Sequence, residues 1–143
     1  MSPDAIRRFF DDYAAAAASL DLAFFASAYA ESFLFAGPSG TQTVKLDDFL
    51  RMLPKRKEFF AAVGLTSSAI ESLEENRLDD HYVMVKVRWR MRFEKHDKGP
   101  MFDDTAATYV LRREEHSMRI VFQLDHQDLA QRVRDLGLLP AAT

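Results

Sequence analysis

The chain has 143 residues, no Cys and a formal net charge of −3 at pH 7. This length predicts a single domain over residues 1–143, and the absence of Cys excludes disulfides and thiolate metal sites and favours a reducing compartment, for which we expect the cytoplasm. The charge gives no attraction to nucleic acid, and no apolar run approaches the roughly twenty residues of a membrane span, so we expect neither partner.

The first half of the chain is predicted to be helical and aromatic, with nine of the 12 Phe in the first 60 residues. Ser2 and Pro3 suit a helix start, and apolar residues then recur at three- and four-residue spacing to Leu20. Asp21 is placed to cap a second, short helix.

A short strand is predicted at 32–36, because its apolar residues end in the turn Gly37-Pro38-Ser39-Gly40. A third helix follows over about 47–63. Pro54 should break or kink this helix, and Gly64 suits its end.

After Gly64 the hydrophobic period changes from 3.6 to two, which indicates strands. The clearest segment is Tyr82–Glu94, where Trp89 lies on the apolar side and four basic residues lie on the other. Further strands are predicted over 65–78, 101–112 and 118–126, with turns at 96–100 and 113–116 and a last helix at 128–136.

This order predicts an α+β fold, with helices at one end of the chain and antiparallel strands at the other. A sheet with one apolar face would curl around the N-terminal helices. We therefore expect a conical cavity between the sheet and the helices.

Several strings resemble the nuclear transport factor 2-like superfamily, which includes SnoaL-like cyclases and ketosteroid isomerases. They are Asp21-Leu22, Ala28-Tyr29-Ala30-Glu31-Ser32, Gly37-Pro38-Ser39-Gly40 and Ser117-Met118-Arg119 with Phe122. The resemblance covers about Ile6 to Asp128. It implies a cone-shaped, curved antiparallel sheet wrapped around N-terminal helices, which is the cystatin-like α+β roll.

Compared with a ketosteroid isomerase, the resemblance matches the catalytic Tyr to Tyr13. The general-base Asp falls on Gly37, which has no side chain, and the second Asp falls near Thr108. Isomerisation by that mechanism is therefore not expected, because nothing at Gly37 can accept a proton. The pocket-lining Met and aromatic residue of the last strand match Met118 and Phe122.

Three residues are candidates for catalysis: Tyr13, Asp104 and His126. Tyr13 either donates a hydrogen bond to a ligand or is a buried Tyr with a satisfied hydroxyl. His126 either acts as a base at the cavity mouth or bonds to backbone or water. Asp104 would share the inward face with Thr108, although which of Asp103 and Asp104 faces the cavity stays open. Asp125 is expected to point away.

The predicted ligand is a small apolar molecule, and no cofactor is expected. The residues expected to line its pocket are Tyr13, Phe35, Trp89, Thr108, Met118 and Phe122. The four His lie in different turns or strand ends without a ligand-like spacing, so we expect no metal site.

The basic stripe Lys86, Arg88, Arg90 and Arg92 should lie on the outer face of the sheet. Nucleic-acid binding is the weaker interpretation, given the net acidity. Pairing with acids such as Glu71, Glu75 or Asp103 is favoured. The resemblance also implies a homodimer through this outer sheet face.

Two functional hypotheses follow. The first is an apolar small-molecule pocket that serves a lyase, isomerase or hydrolase acting on a hydrophobic ring compound. The second is a non-catalytic ligand-binding or dimeric scaffold module, favoured by the loss of the isomerase base at Gly37. Two titratable groups that converge in the cavity would favour the enzyme.

Overall fold

The computed structural model describes residues 3–95 and 98–138, so Ser2, His96 and Asp97 lie outside the described residues. The described residues form four helices and six strands, and the sequence predicted all of them except the second strand. They are α1 (Pro3–Ser19), α2 (Leu22–Ala28), β1 (Tyr29–Gly37), β2 (Gly40–Lys45), α3 (Leu46–Ala62), β3 (Leu65–Arg77), β4 (Tyr82–Lys95), β5 (Lys98–Arg113), β6 (Met118–Asp125) and α4 (Leu129–Asp135).

The strands form one curved, open sheet in the order β2-β1-β6-β5-β4-β3. Neighbouring strands are antiparallel except for β1 and β6, which run parallel. The helices lie against one face of the sheet, and the predicted α+β class is confirmed.

Particular residues determine where the helices begin and end. The Asp21 carboxylate accepts a hydrogen bond from the Phe24 backbone N–H at 3.2 Å and caps α2, as predicted. Gly64, after α3, has φ +91°, a left-handed conformation that glycine adopts without strain. Of the break or kink predicted at Pro54, the break is wrong, because α3 is one continuous helix from Leu46 to Ala62 with Pro54 inside it.

The central strands follow the predicted alternation. The apolar residues of β4 are buried on the inner face, and Lys86, Arg88 and Arg90 are exposed on the outer one. Arg90 pairs there with Asp104 at 3.1 Å and Glu71 at 3.6 Å. The inner face packs against α1, where Phe10 is fully buried.

A β-bulge interrupts the alternation of β6. Leu111 of β5 is opposite Ile120, whereas the preceding Val110 is opposite Phe122, so Val121 is an extra residue. One inserted residue exchanges the inner and outer faces of everything that follows it in a strand. Gln123 and Asp125 therefore face inward.

No helix of the part of the chain that the structure describes has the length and apolar character needed to cross a membrane.

Candidate functional site

A cavity of about 780 Å³ lies between the inner face of the sheet and the helices α1 and α3. Phe25, Phe33, Phe49, Trp89 and Tyr109 form much of its wall. The charged residues Lys45, Asp48, Arg56, Lys57 and Asp125 also line it. A volume of this size lies within the range of pockets that hold small organic ligands, roughly 300–1,000 Å³.

The aromatic wall is held rigidly by ring-to-ring packing. The Tyr13 ring lies between Phe25 and Trp89, with centroid distances of 5.2 and 5.8 Å. Phe33 and Phe49 pack edge to face at 5.3 Å on the opposite side. Of the residues predicted to bind ligand, Tyr13, Phe35 and Trp89 line the cavity.

A chain of hydrogen bonds crosses the cavity wall and ends at Asp125. Gln123 Nε2 donates to Asp125 Oδ1 at 3.0 Å, which leaves Gln123 Oε1 to accept from the Tyr29 hydroxyl at 2.5 Å. Because the Tyr29 proton is used in this way, the Tyr13 hydroxyl donates to Tyr29 at 2.8 Å. With the carboxylate ionised, every donor in this chain points toward Asp125.

A second pair extends the polar surface of the wall. Trp89 Nε1 donates to the Tyr109 hydroxyl at 3.2 Å, and a side-chain interaction of this hydroxyl with Tyr13 contributes to the pKa of both tyrosines. The Tyr109 ring packs beside Tyr13, with the centroids 6.0 Å apart.

Burial controls the protonation of the three tyrosines and of Asp125. Burial raises the pKa of Tyr13 above the ordinary tyrosine value of 10.0, and it raises the pKa values of Tyr29 and Tyr109 well above that value. All three tyrosines therefore keep their protons at neutral pH. Burial also raises the pKa of Asp125, against the hydrogen bond from Gln123 and the positive charge of Arg56. A carboxyl group whose pKa is raised toward neutrality is suited to acid–base chemistry.

The expectation that Thr108 and Phe122 face the cavity is wrong. Thr108 precedes Tyr109, which is the inward-facing residue, and a shift of one residue reverses the face. Phe122 follows the extra residue Val121 and lies opposite Val110 on the outer face. Met118 is buried in the core on the inner side but does not line the cavity.

The expected acid–base residues Asp104 and His126 also lie on the outer face. Asp104 is bonded to Arg90, and His126 Nε2 lies 2.7 Å from the hydroxyl of Thr108, next to the solvent. Asp103 is the inward one of the two acids, but it is held by Arg132 of α4 and does not line the cavity.

The sequence interpretation missed Gln123 and Asp125 and placed Asp125 on the wrong side, because an unbroken period of two was assumed for β6. No signal in the sequence marks them, because the bulge that turns them inward depends on the partner strand. A Cβ atom built on Gly37 would lie 3.8 Å from the backbone oxygen of Asp125, so the two residues are neighbours in space. The carboxylate that is absent from β1 is therefore present one strand away.

Comparison with known proteins agrees with this fold. Residues 3–128 match the model of a family described as NTF2-like protein (DUF6841). Comparison with curated proteins gives no match.

Solved structures of similar shape come from several bacteria. An NTF2-like protein with a cystatin-like fold from Novosphingobium aromaticivorans is 14% identical, with TM-score 0.68, covering 94% of this chain and 86% of that one. Aln2 from a Streptomyces species is 15% identical, with TM-score 0.72, covering 94% and 99%. The beta subunit of the benzoate 1,2-dioxygenase from Burkholderia mallei is 11% identical, with TM-score 0.70, covering 92% and 93%. At these identities the likeness shows a shared fold.

Proposed function

The chain belongs to the NTF2-like protein family DUF6841, and we propose that its cavity binds a small apolar, ring-containing molecule on which Asp125 performs acid–base chemistry. The observation that carries this proposal is an aromatic cavity whose wall contains a carboxyl group at the end of a directed hydrogen-bond chain. The reaction class is that of a lyase, isomerase or hydrolase.

The aromatic wall supports the choice of ligand. Flat rings stack on aromatic side chains, and the rigid packing of Tyr13, Trp89 and Phe33 leaves little conformational entropy to lose when a ligand enters. Tyr13 and Tyr109 then contact the ligand at its polar group.

The proposed role of Asp125 is to accept a proton from a carbon or oxygen of the ligand and to return it at another position. The Gln123 amide positions the carboxylate, and burial brings its pKa closer to working pH. The usual ketosteroid isomerase mechanism is not proposed, since its base would stand at Gly37. Asp125 replaces Asp104 and His126 as the residue on which the chemistry depends.

The chemistry can be tested with 2-tetralone, an apolar bicyclic ketone with acidic α-protons. We expect the wild-type protein to accelerate α-proton exchange in D2O, measured by NMR, and Asp125→Asn to lose at least about 100-fold of the acceleration. Asp104→Asn on the outer face is the matched control and should retain the rate. Binding of the ketone without exchange would contradict the catalytic role and leave a binding module.

The second candidate is a non-catalytic ligand-binding or dimeric scaffold module, favoured by the outer face of the sheet. Phe102 is 56% exposed there, with the guanidinium groups of Arg90 and Arg92 over its ring at 5.8 and 5.9 Å. In this proposal the outer faces of two copies pair. Light scattering should give the mass of a dimer, and Phe102→Asp should give a monomer, whereas Leu78→Asp, at another exposed apolar residue, should not.

A cytoplasmic location is part of the proposal and is supported by the absence of Cys. Fractionation of cells that express the tagged chain tests it, because recovery in a secreted or periplasmic fraction would contradict it.

A further inference from the structure

A second, smaller cavity adjoins the first one at the side chain of Arg56. It has a volume of about 410 Å³ and lies between the turn after β1, the second half of α3 and the start of α4. Arg56 lines both cavities, together with Asp125, Gln127 and Leu129. This side chain therefore lies at the opening between the two cavities.

Within residues 3–95 and 98–138, the N–H donors of Arg56 have no acceptor. Its guanidinium lies 5.1 Å from the ring centroid of Phe60, one helical turn later, which holds the group over the cavity. Among the described residues it makes no hydrogen bond and no ion pair, so its five N–H donors stay available. Its neighbours differ, because Lys57 donates to the Ala18 carbonyl at 2.7 Å and Arg51 pairs with Asp48.

The acidic groups at this opening already have donors. Asp125 accepts from Gln123 at 3.0 Å, and Asp128 accepts from the Gln131 backbone N–H at 3.2 Å as the cap of α4. Lys55 adds a second cation to the lining of the smaller cavity and makes no ion pair with the described residues. Asp125 and Asp128 balance the charges of Lys55 and Arg56 in this lining, and the charge of Arg56 acts on the Asp125 carboxylate. The opening therefore offers the unused N–H donors of a guanidinium group rather than net positive charge, beside an interior wall that is mostly apolar.

We propose that the ligand of this cavity carries a carboxylate, which Arg56 binds at the opening while the apolar ring lies among Phe33, Phe49 and Trp89. A guanidinium group matches a carboxylate with two parallel hydrogen bonds, which are stronger than neutral ones. The inference rests on the proposed function of the cavity and adds the chemical class of its ligand, an amphipathic ring compound with an acidic group.

The test compares two fluorescent probes with the same ring and chain, 1-pyrenebutyric acid and 1-pyrenebutanol, by titration at pH 7. We expect the wild-type protein to bind the acid at least about tenfold more tightly than the alcohol. Arg56→Gln should remove this preference, because the acid loses more affinity than the alcohol. Arg56→Lys should restore part of it, because the ammonium keeps the charge without the two-pronged geometry.

Arg51→Gln is the matched control, since it removes the same charge from the same helix outside both cavities, and it should keep the preference. Equal binding of acid and alcohol by the wild-type protein, or a preference that survives Arg56→Gln, would overturn the inference while the proposed binding function stands. Loss of the preference for the acid in Lys45→Gln, with the preference kept in Arg56→Gln, would also overturn the inference. Failure of both probes to bind would overturn the inference and contradict the proposed function as well.

Discussion

Tyr29 shows how one side chain can connect the core of the protein to its candidate site. Its ring has no exposed surface and packs between Phe33 and Phe49, with both centroids at 4.6 Å. Its hydroxyl joins Tyr13 to Gln123 and so to Asp125. The sequence alone could not show this connection, because a side chain's hydroxyl partner on a distant strand cannot be read from its own position.

Tyr29→Phe is expected to lower the free energy of unfolding by about 1–3 kcal/mol, because the buried oxygen of Gln123 loses its donor. Chemical denaturation measures the change. Tyr82→Phe is the control. It removes a surface hydroxyl that accepts from Arg112 at 2.8 Å, and its effect should stay below about 0.5 kcal/mol. Equal effects of the two variants would contradict the buried chain.

Asp125→Asn is expected to raise Tm at pH 7. Burial raises the pKa of Asp125 above its ordinary value of 3.8, so the folded state binds this proton more tightly than the unfolded state. The ionised carboxylate therefore destabilises the fold above the folded-state pKa, and this penalty disappears as the pH falls toward the unfolded value. A neutral Asn does not carry the penalty.

Thermal denaturation between pH 4 and 8 measures this difference. The Tm advantage of Asp125→Asn should be largest at neutral pH and shrink as the solution becomes acidic. Asp104→Asn should show no gain at pH 7, because it removes an exposed ion pair with Arg90. If the Tm of Asp125→Asn relative to the wild type instead increases as the pH falls, the ionised carboxylate stabilises the fold and the account is contradicted.

At the scale of single elements, the sequence predicted the helices and the long strands, because their periods of 3.6 and two persist over many residues. It missed β2, whose six residues Gly40–Lys45 contain a single large apolar residue, Val44. It also reversed the faces of β6 after Val121, because a bulge is a tertiary feature that depends on the partner strand. Trp89 and Phe35 were placed correctly, whereas Asp104, Thr108, Phe122 and His126 were not.

The continuous helix α3 gives a test at this scale. Pro54 is exposed and stands inside the helix, where it has no N–H to donate to the preceding turn. Pro54→Ala should restore this bond and raise the free energy of unfolding by about 1–3 kcal/mol. Lys55→Ala, at the next residue, should change it by less than about 0.5 kcal/mol. A lower free energy of unfolding in Pro54→Ala would mean that the proline ring stabilises the fold by more than the missing hydrogen bond costs.

At the scale of the whole molecule, the superfamily and the fold could be predicted from the order of elements and from local strings, and both are confirmed. The chemistry of the cavity could not, because it depends on contacts between α1, β1, β5 and β6. The abundance of Phe in the first half also acquires a structural role. Phe25, Phe33 and Phe49 from that half line the cavity, opposite Trp89 and Tyr109 of the sheet.

The most direct test of the central claim is the affinity of 1-pyrenebutanol for two variants of α1. Ala17 lines the cavity, and Ala15 is exposed on the same helix outside it. Ala17→Phe should weaken binding at least about tenfold, because the added ring occupies the space of the ligand. Ala15→Phe should bind as the wild type does. Unchanged affinity in Ala17→Phe, or equal losses in both variants, would contradict a ligand site inside the cone.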